Sequence, residues 1–334
     1  MAQSKKRPPQ RRPQRGPRPS VGAVPARGRT TARPGGARPA PPRKATLADW
    51  IAASRWRTLP LSIAPVAAGT GAAYVADGGV FHEYRIPLCL AVAVFLQLAV
   101  NYANDYSDGI RGTDDFRVGP ARLTGSGAAK PRHVLIVALV FFALAAIAGL
   151  ALVIMSQQWW LLLVGAAAIV AAWFYTGGKR PYGYAALGEV AVFLFFGLVA
   201  TVGTTFVQTG DVNTESWLSG IGIGFLACAA LLANNIRDID QDRAAGKRTL
   251  SVLIGPVASR VLYCVLLVLA FAILAFFAIF YPFAYLVFFG LLIAIPAGLI
   301  VATGRTAREF VLALVLTSAL TLVYGVGLAA AFIL

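Results

Sequence analysis

Long apolar runs separated by short polar segments fill the chain from residue 58 onward. Most of the runs have about 20 residues, the length that a helix needs to cross the hydrocarbon core of a bilayer. The pattern therefore predicts an all-α integral membrane protein with nine transmembrane helices. They are expected at 58–77, 87–108, 133–155, 158–176, 187–208, 216–236, 257–280, 283–303 and 309–333.

Composition agrees with this pattern. Of the 334 residues, 58% are hydrophobic and only 13% are charged. Ordinary soluble domains carry about twice that share of charge. The composition therefore excludes a soluble globular protein and favours a polytopic membrane protein.

Residues 1–44 differ from the rest of the chain. They are rich in Pro, Arg, Gly and Ala, contain 13 of the 30 Lys and Arg residues, and contain no acidic residue. Such a segment buries too little apolar surface to offset its ordering entropy, so we predict a disordered basic tail before a membrane domain at 45–334. Its charge alone would suit nucleic acid, but beside a membrane domain it favours anionic lipid. We expect the lipid bilayer and no nucleic acid as its partner.

Basic residues occur in alternate loops between the predicted helices. By the positive-inside rule this pattern predicts a cell-membrane protein with a cytoplasmic N-terminus and an external C-terminus. It also places both acidic stretches described below, and with them the active site, on the cytoplasmic side. The basic loops carry Arg111, Arg117, Arg122, Lys130 and Arg132, then Lys179 and Arg180, then Arg237, Arg243, Lys247 and Arg248, then Arg305 and Arg308; the intervening loops contain only Arg85.

The first acidic stretch, 101–127, begins at the end of an apolar run and continues into a polar loop. Asn101, Asp105 and Asp108 are spaced i, i+4 and i+7, so they share one face of a helix. Acidic side chains at the end of a membrane-length helix are costly unless cations meet them, and they are usually functional.

The second acidic stretch, 234–250, has the same design. Asn234, Asp238 and Asp242 are spaced i, i+4 and i+8, whereas Asp240 points away from their shared face. Together the two stretches contain seven of the 14 acidic residues of the chain.

Two acidic helix faces on one side of the membrane favour a site for Mg²⁺ and a diphosphate. Mg²⁺ prefers oxygen ligands and is usually held by one or two carboxylates together with substrate phosphates. The cation would favour departure of the diphosphate from an allylic carbon, and Lys179, Arg237 and Arg122 would donate hydrogen bonds to the diphosphate oxygens. The alternative is that these carboxylates only cap loops or pair with neighbouring arginines.

A third element, WFYTGGKRPYGY at 173–184, lies between the fourth and fifth predicted helices. Tyr175 and Lys179 are four residues apart and would point the same way if the helix extended that far, but Gly177 and Gly178 argue against this. The alternative is an interfacial aromatic belt with a lysine that reaches toward the headgroups.

These motifs resemble those of the UbiA-type membrane prenyltransferase superfamily. Asn101, Asn104, Asp105 and Asp108 match its first aspartate-rich motif. Asp238 and Asp242 match its second motif, and Tyr175 and Lys179 match its Tyr-x-x-x-Lys element. Within that superfamily, the runs NYANDYSDGIRGTDDFRVGPARLTGSG, RTLPLSIAPVAAG and NNIRDIDQDRAAGKRTL are similar to the menaquinone branch. The resemblance covers about residue 49 to the last residue.

One position departs from the broader superfamily pattern. A further aspartate usually follows four residues after the one matched by Asp108, and that position is Gly112 here. Asp114 is the candidate for this third carboxylate.

The resemblance implies a UbiA-type bundle of nine helices that transfers a polyprenyl group from an all-trans polyprenyl diphosphate to 1,4-dihydroxy-2-naphthoate, with loss of CO2 and diphosphate. The cofactor would be Mg²⁺, and the catalytic residues would be the four matched aspartates with Tyr175 and Lys179. Arg57 is the candidate for binding the aromatic acceptor. The expected metal ligands are Asp105, Asp108, Asp238 and Asp242, and the expected diphosphate-binding residues are Asn101, Asn104, Lys179, Arg237, Arg122 and Asn234.

Two other functions stay open. A prenyltransferase for another aromatic acceptor, such as 4-hydroxybenzoate, would use the same aspartates. A secondary transporter that couples transport to cations would also bury acids, but it would tend to place them in broken helices near the bilayer midplane. The acids here lie at helix ends beside loops, which favours an enzyme.

Overall fold

The computed structural model describes residues 43–77, 81–113 and 122–334, and these are all-helical apart from turns and one isolated β-bridge. The predicted tail falls almost entirely outside these ranges, as does Asp114. The helices are α1 Leu47–Ala53, α2 Pro60–Ala76, α3 Ile86–Ile110, α4 Pro131–Ser156, α5 Leu161–Phe174, α6 Gly188–Val192, α7 Ala200–Thr209, α8 Thr214–Arg237, α9 Ile239–Ala244, α10 Leu250–Phe280, α11 Leu291–Thr303 and α12 Ala307–Ile333.

Several of these helices join into longer spans. A π-helical segment, Phe193–Val199, connects α6 to α7 as one span, and a 3₁₀ segment, Pro282–Gly290, leads into α11. Within the described residues, seven helices are long and apolar enough to cross a membrane, or eight if the bent pair Leu47–Thr58 and Pro60–Ala76 counts as one span.

Helix length in the described residues therefore accounts for at most eight of the nine predicted spans. The remaining predicted helix, at 158–176, forms only the 14 residues of α5, which is about 21 Å long. It is short because Gln157 ends α4 in the left-handed region and Gly178, with φ of +73°, lies just beyond the last turn of α5.

The core of the bundle forms around α8, which packs against α2, α10, α12 and the π-helical segment. Small residues allow these helices to approach closely, as is common in membranes. A Cβ on Gly325 of α12 would come within 2.4 Å of the Ala64 carbonyl oxygen of α2. This close contact holds α2 and α12 together on one side of α8.

A buried arginine closes the opposite end of the bundle from the acidic stretches. Arg85 donates to the carbonyl oxygens of Val207 at 2.5 Å and Met155 at 2.7 Å. It thereby satisfies carbonyl groups at the C-terminal ends of α7 and α4, which have no partner within their own helices.

Candidate active site

A cavity of about 790 Å³ lies inside the bundle, between α2, α3, α4, α5, α7 and α8. Along α3 its lining runs from Cys89 to Asn104, a distance of about 22 Å at 1.5 Å per residue. The walls toward Cys89 are apolar, with Phe195 and Phe196 contributed by the π-helical segment. The cavity is therefore a deep apolar pocket with one polar end.

The polar end is strongly cationic. Among the described residues that line the cavity there are four arginines and no acidic side chain. Such a surface attracts an anion, and guanidinium groups match the oxygens of phosphates and carboxylates well. The polar and aromatic residues at this end include Arg55, Arg57, Gln97, Asn101, Asn104, Arg122, Tyr175, Tyr182, Asn234 and Arg237.

Asp108 lies beside this end, where three loops meet. Its carboxylate accepts a short hydrogen bond from the Tyr184 hydroxyl group. Lys247 Nζ lies 3.3 Å from one carboxylate oxygen, and an Arg122 nitrogen lies 3.7 Å from the other. Asp108, in the first acidic stretch, therefore contacts the element at 173–184 through Tyr184 and the second acidic stretch through Lys247.

Sequence reasoning missed the roles of Tyr184 and Lys247. Both belong to stretches that it singled out, but nothing in their spacing shows that they meet. Lys247 Nζ also lies 4.7 Å from the centre of the Tyr184 ring. Burial and the nearby charge of Asp108 raise the pKa of Tyr184 above its usual range, so its hydroxyl group stays protonated and donates to the carboxylate at neutral pH.

Asp105 has a different environment from Asp108. Like Asp108, it is buried and lies outside the cavity lining, but its partners differ. One carboxylate oxygen accepts from the backbone N–H of Leu123 at 2.9 Å, and the other accepts from that of Thr124 at 2.8 Å. The structure therefore uses Asp105, predicted as a metal ligand, to hold the segment that carries Arg122.

In the second acidic stretch, Arg237 and Asp238 form a bidentate pair. Arg237 Nε and one terminal nitrogen lie 2.7 and 2.5 Å from the two Asp238 oxygens. The same terminal nitrogen donates to Asn234 Oδ1 at 2.8 Å. Asp242 is half-buried, one turn further along, whereas the Asp240 side chain is 88% exposed, as its place off the shared face predicts.

Asn101 and Asn104 hold the neighbouring loops while they line the cavity. Asn101 Nδ2 donates to the Ser54 carbonyl oxygen at 2.8 Å, and Asn104 Oδ1 accepts from the Thr176 hydroxyl group at 2.6 Å. Arg111, which the sequence did not single out for this task, donates to the carbonyl oxygens of Thr176 and Gly178. The loop after α5 is thereby fixed against the end of α3.

The structure separates Tyr175 from Lys179. Tyr175 lines the cavity and packs edge-on against Tyr182, with ring centres 5.5 Å apart. Because α5 ends at Phe174, Lys179 lies beyond the helix, where it is exposed and outside the cavity lining. Burial, followed by the charge of Glu189, raises the pKa of Tyr175, which therefore contributes a neutral ring to the cavity wall.

Gln97 supports the turn that carries Arg57. Its Nε2 donates to the Thr58 carbonyl oxygen at 2.7 Å and lies 3.1 Å from the Thr58 hydroxyl oxygen. Arg57 itself lines the cavity, with its guanidinium 5.6 Å from the centre of the Trp56 ring. The predicted acceptor-binding residue therefore lies within the cavity lining, beside the residue that Gln97 holds.

The donor set suits a hard cation that binds together with a substrate. Within the described ranges, no three acidic, His or Cys side chains come together to hold a metal by themselves. Asp108 and Asp238 are nevertheless buried carboxylates with cationic groups against their oxygens. These carboxylates fit Mg²⁺ that is also bound by diphosphate oxygens, the usual mode for this ion.

Comparison with known proteins gives a consistent result. A family model described as the UbiA prenyltransferase family matches residues 62–310. A 1,4-dihydroxy-2-naphthoate octaprenyltransferase from Mycobacterium tuberculosis is 46% identical over 287 residues, which cover 86% of this chain and 97% of that protein. A protein of the same name from Escherichia coli is 34% identical over 237 residues, which cover 69% of this chain and 76% of that protein.

Solved structures show the same fold. An apo UbiA homolog from Aeropyrum pernix K1 matches with a TM-score of 0.62 at 18% identity, over 82% of this chain and 96% of that one. A UbiA homolog from Archaeoglobus fulgidus bound to GPP and Mg²⁺ matches with a TM-score of 0.58 at 16% identity, over 84% of this chain and 99% of that one.

Proposed function

Because this chain belongs to the UbiA prenyltransferase family, we propose that it transfers a polyprenyl group to 1,4-dihydroxy-2-naphthoate within the membrane. The donor is an all-trans polyprenyl diphosphate, and the products are a demethylmenaquinone in its reduced quinol form, CO2 and diphosphate. The curated relatives that carry the name of this activity support the choice of acceptor.

The observation that carries the proposal is the division of the cavity into two parts. Its cationic end suits the diphosphate, and its apolar body suits a polyisoprenoid chain. Neither a soluble substrate nor a small inorganic ion would need an apolar pocket about 22 Å deep. This division favours a prenyltransferase over a cation-coupled transporter.

The residues at the cationic end hold the donor diphosphate in this proposal. Arg122 and Arg237 bind its oxygens, and Asn101, Asn104 and Asn234 orient the surrounding backbone and side chains. When bound, Mg²⁺ supplies Lewis-acid stabilisation of the departing diphosphate. Asp108, Asp238 and Asp242 are its proposed ligands, and the A. fulgidus homolog with Mg²⁺ supports a divalent cation. We leave Lys179 and Asp105 out of this proposed set, because Lys179 is exposed and both Asp105 oxygens accept from backbone N–H groups.

The chemical step replaces the carboxylate on one ring carbon of the acceptor with the prenyl group. The allylic C–O bond breaks, and its electron pair leaves with diphosphate. The ring carbon that bears the carboxylate then forms the new C–C bond to the allylic carbon. The bond to the carboxylate breaks, and its electrons restore the aromatic ring as CO2 leaves. The ring face of Tyr175 stabilises positive charge on the allylic group, and Arg57 binds the acceptor carboxylate.

The direction of the site in the membrane is also a proposal. The basic loops favour a cytoplasmic N-terminus and an active site that faces the cytoplasm. The meeting of Asp108 and Lys247 supports the placement of both acidic stretches at one end of the bundle.

The test is to supply purified protein and Mg²⁺ with an all-trans polyprenyl diphosphate and one of two acceptors. With 1,4-dihydroxy-2-naphthoate we expect CO2 and a prenylated naphthoquinol, and chelation of the metal should stop both. With 4-hydroxybenzoate we expect little product. A preference for 4-hydroxybenzoate with its carboxyl group retained would refute the assignment of acceptor. Full activity in the presence of a chelator would refute the role of the metal.

A second prediction tests the occupant of the apolar body. Gly203 of α7 lines the cavity, and a Cβ built on it meets nothing within 4 Å, so a larger side chain can begin there without a clash at Cβ. Gly203→Leu should reduce turnover of long donors by about tenfold while short donors are turned over normally. Reaction rates across a series of donor lengths provide the measurement.

Gly298→Leu is the matched control. Gly298 lies in α11 outside the cavity lining, and a Cβ there makes only an ordinary 3.8 Å contact with Leu267. The control should not alter the ranking of donors. An equal effect of Gly203→Leu on the shortest and longest donors would contradict the placement of the chain in this cavity.

A further inference from the structure

Tyr184 makes hydrogen bonds through both its side chain and its backbone. Its hydroxyl group donates to Asp108 Oδ1 in the first acidic stretch. Its carbonyl oxygen accepts from the backbone N–H of Arg248 at 3.0 Å, and the isolated β-bridge joins Ala185 to Arg248 at the same place. This one residue therefore connects α3 to the end of the second acidic stretch.

The connection continues to a proposed metal ligand. The backbone N–H of Lys247 donates to the Asp242 carbonyl oxygen at 2.8 Å. Lys247 directly precedes Arg248 in the chain. A short path of hydrogen bonds and covalent bonds thus runs from Asp108 through Tyr184 to Asp242.

The two carboxylate oxygens of Asp108 have different neighbours. Oδ1 meets the Tyr184 hydroxyl group and, at 3.3 Å, Lys247 Nζ. Oδ2 faces Arg122, a residue of the cavity lining, at 3.7 Å. The terminal torsion of an aspartate has a broad range, so a hydrogen bond to one oxygen decides where the other one points. Tyr184 thereby holds Oδ2 toward Arg122.

We propose that Tyr184 is a positioning residue for the divalent cation, because it orients the Asp108 carboxylate and fixes its separation from the second acidic stretch. The inference rests on the proposed function, in which carboxylates of both stretches bind a cation together with the diphosphate. In the part of the chain that the structure describes, no three acidic, His or Cys side chains form a metal site alone, so the spacing of the two stretches matters. Hydrogen-bond partners of a metal-binding side chain typically contribute about 10- to 100-fold to metal affinity.

Tyr184→Phe tests the inference because it removes only the hydroxyl group and keeps the ring and the backbone contact. Mn²⁺ affinity is measured by electron paramagnetic resonance with a thiolodiphosphate analogue of the donor, which resists cleavage, and without the aromatic acceptor. We expect the affinity to fall by about 10- to 100-fold. Hydrogen exchange of the Arg248 amide should stay as slow as in wild type, which shows that the backbone contact survives.

Tyr281→Phe is the matched control. The Tyr281 hydroxyl group also donates to a carboxylate, that of Glu215 at 2.8 Å, but Glu215 lies in the first turn of α8, at the opposite end from Arg237. This variant should bind Mn²⁺ as wild type does. Wild-type affinity in Tyr184→Phe refutes the inference, as does an equal loss in both variants or a loss accompanied by rapid exchange of the Arg248 amide. If wild type with the analogue bound no Mn²⁺, the metal site of the proposed function would be refuted, and the inference with it.

Discussion

Asp108→Asn is expected to lower prenyl transfer by about a thousandfold or more, a loss at the upper end of what removal of one electrostatic group from an active site produces. The carboxylate is the point at which Tyr184, Lys247 and Arg122 meet, and it is a proposed ligand of the divalent cation. Asparagine keeps its shape but removes its charge. Steady-state rates and Mn²⁺ affinity by electron paramagnetic resonance should both fall, while the protein stays folded and inserted in the membrane.

Asp240→Asn is the control for this prediction. It removes a charge of the same kind from the second acidic stretch, but its side chain is 88% exposed. Activity and Mn²⁺ affinity should stay close to those of wild type. Near-normal activity of Asp108→Asn, or an equal loss in both variants, would contradict the proposed site.

Asp105→Ala is expected to lower activity by about a hundredfold for a different reason. The substitution leaves two buried backbone N–H groups without acceptors, each at a cost of roughly 1–3 kcal/mol, so residues 122–124 should detach from α3. Arg122 would then lose its position beside Asp108. Hydrogen exchange of the Leu123 and Thr124 amides should accelerate, whereas Mn²⁺ affinity should fall far less than in Asp108→Asn.

Two further variants sharpen this comparison. Asp105→Asn keeps one acceptor oxygen. The Leu123 and Thr124 amides should therefore exchange faster than in wild type but more slowly than in Asp105→Ala. Ser126→Ala removes only a long 3.4 Å contact from the same loop and should change neither measurement. If Asp105→Ala lowered Mn²⁺ affinity as much as Asp108→Asn while both amides stayed protected, Asp105 would be a metal ligand and not a support for the loop.

The sequence predicted the class of fold well because lipid imposes a simple rule. A backbone in hydrocarbon must satisfy its own hydrogen bonds, so each apolar run of sufficient length becomes a helix. Every predicted span contains a helical segment, including α5. Its length was overestimated because hydropathy does not register the left-handed residues, Gln157 and Gly178, that bound it.

Side-chain contacts were harder to predict than helices. Periodicity placed Asp105 and Asp108 on one face of α3, yet the two have different partners, a backbone segment for Asp105 and three side chains for Asp108. Those partners come from loops 14 to 139 residues away in the chain, and their approach depends on tertiary packing. The contact between Lys247 and Asp108 is the clearest case, because each residue belongs to a stretch that the sequence had already marked.

The cations around Asp108 also bear on how the protein is made. A carboxylate buried without a partner would cost several kcal/mol, and many metal sites therefore assemble only when the metal arrives. Here Lys247 and Arg122 supply positive charge from within the chain itself. The two cations therefore lower the cost of burying the Asp108 carboxylate while the helices insert and pack.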